Sequence, residues 1–296
     1  MLRAVLPYNG SRTLSFMNTS IVIPVYNESK QLDACLASIA GQSVAPFEVI
    51  VVDNNSTDDS ALVAERYPFV RLLREYRQGV VHARNRGFNS ARGDIIGRID
   101  ADSILPPDWV EHVSRFFVEH PAISAVSGSA HYYDFAFTRL IDSVDYYLRQ
   151  RLAMKLGQEN FLWGANMAIR RQAWRAIRRG LCQHQAMHED LDLAIHLQAR
   201  GHIVDYEPQI VAGVSCRRID MRFQDYVRYC LVSPRTYAMH RLRSRRHMYP
   251  IIMLCWAVYL PARVIYRGYD PVTGSFSVNR AFFQTTPRVD PTTNIV

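Results

Sequence analysis

The chain has 296 residues, 48% of them hydrophobic and 21% charged, with 35 basic against 27 acidic residues and a net charge of +8. Such a composition excludes a disordered or fibrous chain and leaves room for one large domain or two small ones around a buried core. The basic excess suits an anionic partner, whether a phosphate-bearing ligand, a membrane surface or a nucleic acid.

Residues 1–18 lack the long apolar core of a signal peptide and read as a loose leader. Residues 20–25 (SIVIPV) form a compact β-branched run, the signature of a strand, followed by the polar turn Tyr26-Asn27-Glu28-Ser29. Leu32, Cys35, Leu36 and Ile39 then recur at helical spacing up to Gly41. A second strand, 47–52 (FEVIVV), runs into Asp53-Asn54-Asn55-Ser56-Thr57-Asp58, where Ser56 or Thr57 is placed to cap a helix over 58–67. A short strand at 70–73, a helix at 80–91 and a fourth strand at 95–99 follow, and Asp100-Ala101-Asp102-Ser103 comes directly after the last of these. Pro106-Pro107 opens a further helix that reaches Glu119. Apolar strands separated by helices predict an α/β fold, a mostly parallel sheet covered on both faces. Ligands bind such sheets beyond the carboxyl ends of their strands. The polar clusters at 26–29, 53–58 and 100–103 are therefore expected on one rim.

The second half is less regular. A strand is predicted over 123–130, a long helix over 135–156, and a turn into a strand over 161–170. His188-Glu189-Asp190 precedes a helix over 191–200, closed by Gly201, and short strands follow at 203–206 and 210–214. From Ser215 the character changes. Between Arg217 and His247 nine arginines stand against Asp220 and Asp225, nearly the whole basic excess. The segment reads either as a solvated helical face or as a contact surface. Residues 249–263 are apolar but fall short of the roughly 20 residues of a spanning helix. With Pro261 and Arg263 closing the run, it reads as a buried or interfacial helix, before a polar tail from Gly268. None of the five cysteines forms a C-x-x-C pair, which speaks against a disulfide framework or a zinc site and fits a reducing cytosol.

Asp100 and Asp102 lead the candidates for chemistry. Two carboxylates one residue apart at a strand end repel unless a cation lies between them, and oxygen ligands suit Mg²⁺ or Mn²⁺. Alone, D-x-D is a common turn; its position after an apolar strand, level with two other polar strand ends, favours a ligand site. Asp53 and Asn54 can hydrogen-bond a base or ribose, or simply form an Asx turn. Arg84 either meets a phosphate or is a surface arginine. Asp190 either caps its helix or serves as a general base. His188-Glu189-Asp190-Leu191-Asp192 is not H-E-x-x-H, and no phosphate-binding glycine fingerprint occurs.

Taken together, residues 21–28 (IVIPVYNE), 49–58 (VIVVDNNSTD), 79–89 with Ala83-Arg84-Asn85, 93–106 (GDIIGRIDADSILP), 164–170 (GANMAIR) and Glu189-Asp190-Leu191 resemble the family 2 glycosyltransferases of GT-A fold. The resemblance implies an inverting transfer of a sugar from a nucleoside-diphosphate sugar to a hydroxyl acceptor, a glycan or lipid-linked glycan, with a divalent cation, Mg²⁺ or Mn²⁺. It places Pro24, Tyr26 and Glu28 beside the nucleotide, Asp53 and Asn54 on the base, and Asp100 near ribose and diphosphate. It makes Asp102 the metal ligand and Asp190 the catalytic base, and sets Trp163, Gly164, Asn166 and Glu189 in the acceptor region. The chain departs from the family in having Asn at 54, where many members have a second Asp, and in lacking a histidine after the last core strand. Arg217 or Arg218 is the local substitute to meet the diphosphate. The expected organisation is a transferase domain over 19–215, split into a nucleotide half (19–125) and an acceptor half (126–215), then a basic and apolar helical extension over 216–296. A cytoplasmic enzyme at the membrane face is expected, with no nucleic-acid partner. A nucleotidyltransferase on the same fold, or a non-catalytic membrane-associated binding protein, are the alternatives.

Overall fold

The computed structural model describes residues 16–148, 161–184, 186–243 and 245–283. Seven strands form one sheet in the order β3-β2-β1-β4-β6-β5-β7. They are β1 (Thr19–Val25), β2 (Glu48–Asp53), β3 (Val70–Arg74), β4 (Ile95–Ile99), β5 (Ile123–Tyr132), β6 (Asn166–Arg170) and β7 (Ile203–Val214). Only β6 runs against its neighbours; β1, β2, β3 and β4 pair in parallel, and β5 pairs in parallel with β7. The carboxyl ends of six strands therefore share one rim, together with the amino end of β6.

Strand alternation builds two cores from one sheet. Ile21, Ile23, Val25, Val49 and Val51 face α1 (Ser29–Ala40), α2 (Ser60–Glu65) and α4 (Trp109–Glu119), where Leu36, Ile39, Trp109 and Val113 bury against them. The alternate residues Val22, Ile50, Val52 and Ile96 pack with Ala83 and Phe88 of α3 (Val80–Ser90), Trp174 of α6 (Arg171–Ile177) and Leu193 and Leu197 of α7 (Glu189–Gln198). Burial of both faces explains why these strands read as continuous apolar runs.

Several expectations are revised. The short strands at 203–206 and 210–214 are one strand, β7, interrupted by a register shift opposite Gly128 and Ser129. The helix expected from 135 begins later, as α5 (Thr138–Tyr146), because Phe137 sits in the left-handed region at φ 59°; its expected continuation over 149–156 lies outside the described residues. The short helix α6 was not anticipated, since seven residues directly after a strand carry too little periodicity.

The extension consists of a 3₁₀ turn (Arg217–Asp220), α8 (Phe223–Met239), α9 (Arg245–Gly268) and α10 (Val278–Phe283). Pro261 does not end the apolar helix. α9 passes through both Pro250 and Pro261, and beyond Pro261 its arginines 263 and 267 bind Asp220 of the 3₁₀ turn. Nor is α9 a buried helix: Met253 and Leu260 are each 65% exposed, while Ile252 and Tyr259 turn inward. Residues 248–268 have the length and composition of a membrane-crossing helix.

Candidate active site

Three polar turns meet on the rim. After β1, Asn27 adopts a left-handed conformation (φ 53°), which asparagine tolerates better than most residues. Its Oδ1 accepts the Thr57 N–H at 2.8 Å, and Ser56 Oγ accepts the Asn27 N–H at 3.1 Å. The residues expected to cap α2 thus lace the β2 turn to the β1 turn instead, and the N-cap position falls on Asp59. Asn54 holds a third segment: its Nδ2 donates to the carbonyls of Glu75 and Arg77, both at 2.8 Å, and its Oδ1 accepts the Gly79 N–H at 2.7 Å.

The carboxylates after β4 are met by guanidinium groups. Arg98, on β4 and 4% exposed, bonds Asp100 Oδ1 at 3.1 Å and Glu189 Oε1 at 2.8 Å. Burial alone would weaken its hold on the proton, but Glu189 and Asp100 reverse this and keep the guanidinium charged. Arg217 follows β7, reaches the same rim, and bonds both Asp102 Oδ2 at 2.7 Å and Glu28 Oε1 at 2.6 Å. Burial opposes its charge in the same way, and Asp102 and Glu28 restore it. The Tyr133 hydroxyl donates to the Asp102 carbonyl at 2.9 Å, fixing that backbone.

Gly164 is required by this packing: a Cβ there would lie 1.4 Å from Arg98 Nη1. Its N–H donates to Asp190 Oδ2 at 2.8 Å, and the Leu191 N–H donates to Asp190 Oδ1 at 2.8 Å. Asp190 lies inside the first turn of α7, with His188 as the N-cap residue, so it is not the helix cap. Each of its oxygens keeps a further lone pair for an incoming hydroxyl.

Of these groups, Glu28, Asn54, Arg98, Asp100, Asp102, Gly164, Glu189 and Asp190 line a cavity of about 500 Å³, whereas Arg217 binds two of its lining carboxylates without lining it. Pro24, Tyr26, Glu28 and Asn54 line it from the turns after β1 and β2; Asp100 and Asp102 line it from the turn after β4, Trp163 and Gly164 from the turn before β6, and Glu189 and Asp190 from the start of α7. Arg218, Arg228, Tyr229 and Arg235 close it from the extension.

The glycosyl transferase family 2 model matches residues 20–178, more than half of the chain. The chain belongs to glycosyl transferase family 2. An uncharacterized glycosyltransferase of Escherichia coli K12, YibD, is 35% identical over 104 residues, which are 34% of this chain and 30% of that protein. An E. coli chondroitin synthase is 36% identical over 31% of this chain and 14% of its own length. The chain thus spans under a third of either relative. Among solved structures, the mannosyltransferase PcManGT of Pyrobaculum calidifontis, in complex with GDP-Man and Mn²⁺, superposes with a TM-score of 0.64 at 21% identity, over 88% of this chain and 78% of that one. The fold is GT-A, and the protein is a glycosyltransferase of this family.

In this glycosyltransferase most expected site residues do converge, but four sit differently. Asp53 turns back on its own loop, accepting the Ser56 N–H at 3.2 Å. Asn54 reaches the cavity wall with its amide committed to the 75–79 loop. Arg84 is neither a surface nor a cavity residue: it is 1% exposed, lies against the Phe88 and Trp174 rings, and donates to the Glu189 carbonyl at 3.2 Å. Burial lowers its pKa to about 10, with Glu189 working the other way. Asn166 is fully buried beneath the site, tying Trp109 to the Ser129 and Ile210 carbonyls. Arg98 was not anticipated, because an arginine inside an apolar strand gives no sign of a partner 91 positions away at Glu189. The contribution of α8 was equally invisible; part of the basic segment is cavity wall.

Proposed function

We propose that this glycosyltransferase moves a sugar from a nucleoside-diphosphate sugar to a hydroxyl acceptor with inversion at the anomeric carbon. The reading rests on one observation: Asp100 and Asp102, after β4, and Asp190, on α7, line the same cavity. Pro24, Tyr26 and the loop held by Asn54 form the wall for base and ribose, and Asp100 faces the nucleotide. Asp190, oriented by the Gly164 and Leu191 N–H groups, takes the proton of the acceptor hydroxyl. The acceptor oxygen bonds to the anomeric carbon as the bond from that carbon to the diphosphate oxygen breaks, and the diphosphate leaves with the electron pair. No covalent enzyme intermediate forms.

A divalent cation fits this site. Asp102 presents hard oxygen donors to the cavity, and the Arg217 guanidinium beside it marks a position that already draws positive charge. Bound by Asp102 and the donor phosphates, Mg²⁺ or Mn²⁺ would neutralise charge on the departing diphosphate. Arg217 adds fixed positive charge at the same point. The Pyrobaculum neighbour's GDP-Man and Mn²⁺ are in keeping with this donor class and ion.

Arg218, Arg228 and Arg235, which line the cavity from the extension, support an acceptor that carries phosphate, as a phosphate-bearing lipid-linked glycan does. The exposed apolar face of α9, next to exposed Arg241, Arg243 and Arg246, supports peripheral attachment to an anionic membrane, with the transferase domain over 19–215 facing the cytoplasm.

The deciding experiment is Asp190→Asn. Transfer is expected to fall by on the order of 10²–10⁴-fold, while the nucleoside diphosphate, found by a thermal-shift screen with Mn²⁺ and Mg²⁺, still binds with its original affinity. Near-normal transfer by the variant would remove Asp190 as the base.

A further inference from the structure

A second polar cluster gathers where α7 meets the end of α8, outside the residues that line the cavity. Cys182 precedes the helix, Asp192 and His196 lie one turn apart on it, and His240 ends α8. The Cys182 Sγ, an Asp192 carboxylate oxygen and Nε2 of both histidines all fall within 4.8 Å of one another. Asp192 Oδ1 is 2.8 Å from His240 Nε2 and 3.4 Å from His196 Nε2. Cys182 Sγ is 3.8 Å from His196 Nε2 and 4.0 Å from His240 Nε2.

A tetrahedral zinc with ordinary bond lengths places its ligand atoms roughly 3.3–3.6 Å apart. The spacings run from 2.8 to 4.0 Å for the four pairs above, and no pair exceeds 4.8 Å, so side-chain shifts of up to about an ångström close the shell. The imidazole rings stand nearly perpendicular, at 84° with centroids 5.1 Å apart, and both Nε2 atoms converge on Asp192 Oδ1. The carboxylate is the deepest member, with an Asp192 side chain that is 0% exposed; the His196 and His240 side chains are 21% and 14% exposed. The carboxylate's Oδ2 also accepts the Cys182 N–H at 3.3 Å; the side chains that meet its oxygens are two imidazoles and a thiol, and a cation bound among them would compensate its buried charge. One sulfur, two nitrogens and one oxygen suit zinc, and differ in kind from the hard oxygen donor at Asp102.

We propose that Cys182, Asp192, His196 and His240 form a structural zinc site that pins α7 to the end of α8. It lies on the same helix as Asp190, two residues further on. α8 carries Arg228, Tyr229 and Arg235 into the cavity. The ion thereby sets the distance between the helix bearing Asp190 and the α8 residues that line the same cavity. This revises the expectation that the cysteines hold no zinc, since the four ligands are too far apart in sequence to make a motif.

The test is metal analysis of the full-length protein after exhaustive dialysis against buffer containing Mg²⁺. About one zinc per chain is expected. Cys182→Ser and His240→Ala are each expected to retain less than about a tenth of that, whereas Asp102→Ala keeps its full complement. For a readout independent of how the variants fold, apo wild-type protein is titrated with Co²⁺. A thiolate-to-cobalt charge-transfer band and tetrahedral visible bands are expected, and added Zn²⁺ abolishes both. Zinc lost in Asp102→Ala but kept in Cys182→Ser would overturn the assignment, as would Co²⁺ binding without the thiolate band.

Discussion

Arg98 shows how much of the site hangs on one side chain. It neutralises Glu189 and Asp100 together, and Gly164 exists in the form it does to leave room for it. Arg98→Met leaves the buried Glu189 carboxylate without its partner, so a loss of about 3–5 kcal/mol in unfolding free energy is expected. The double variant with Glu189→Gln should recover much of it; additive losses in a denaturation cycle would show that the pair is not coupled. Gly164→Ala forces the guanidinium aside and shifts the N–H that orients Asp190. Transfer should drop by on the order of 10²-fold, with donor affinity little changed. Arg98 lay hidden in the sequence because burial and pairing are decided by what the sheet brings alongside. The positions of Asp100, Asp102 and Asp190 on the fold were legible because short acidic motifs after strands and at helix starts carry their position with them.

At the scale of elements, the loop 75–79 and α9 carry the clearest consequences. Asn54 supplies three hydrogen bonds to that loop. Asn54→Ala should cost about 2–3 kcal/mol, and its larger effect should be on donor affinity, read by titration calorimetry of the nucleoside diphosphate. An Asn54→Asp replacement keeps the Gly79 contact but loses both donors, so it should fall in between. On α9, Met253 and Leu260 point outward. Replacing both with Asp should change stability by no more than ~0.5 kcal/mol each, yet abolish co-sedimentation with anionic vesicles. Equal binding to neutral and anionic vesicles by the wild type would remove the electrostatic part of the attachment, and a collapse of stability would mean that the face is packed rather than exposed. The helix itself was readable as an apolar run; its passage through Pro261 was not, because the ion pairs of Arg263 and Arg267 with Asp220 come from tertiary contact.

Across the whole molecule, six strands that end on one rim bring together residues from opposite ends of the chain. Arg217 closes on Glu28, 189 positions away, only because β7 runs parallel to β5 and so delivers its following turn to the same edge as β1. Removing divalent cations at this rim should suppress transfer reversibly, with activity restored by Mn²⁺ or Mg²⁺ in the wild type and not in Asp102→Ala. Transfer unaffected by chelation would leave Arg217 as the cation that serves the diphosphate.

The amino-acid sequence by itself determined the local elements of the nucleotide half, the alternation that makes a two-faced sheet, and the acidic residues at strand ends. These follow from periodicity and turn chemistry, which act over a few residues. Tertiary structure alone decided which carboxylate meets which arginine, that Arg84 and Asn166 lie buried outside the cavity lining, and that Cys182, Asp192, His196 and His240 gather at one point. Those outcomes depend on burial and on distances set by sheet order, and neither quantity exists until the chain has folded.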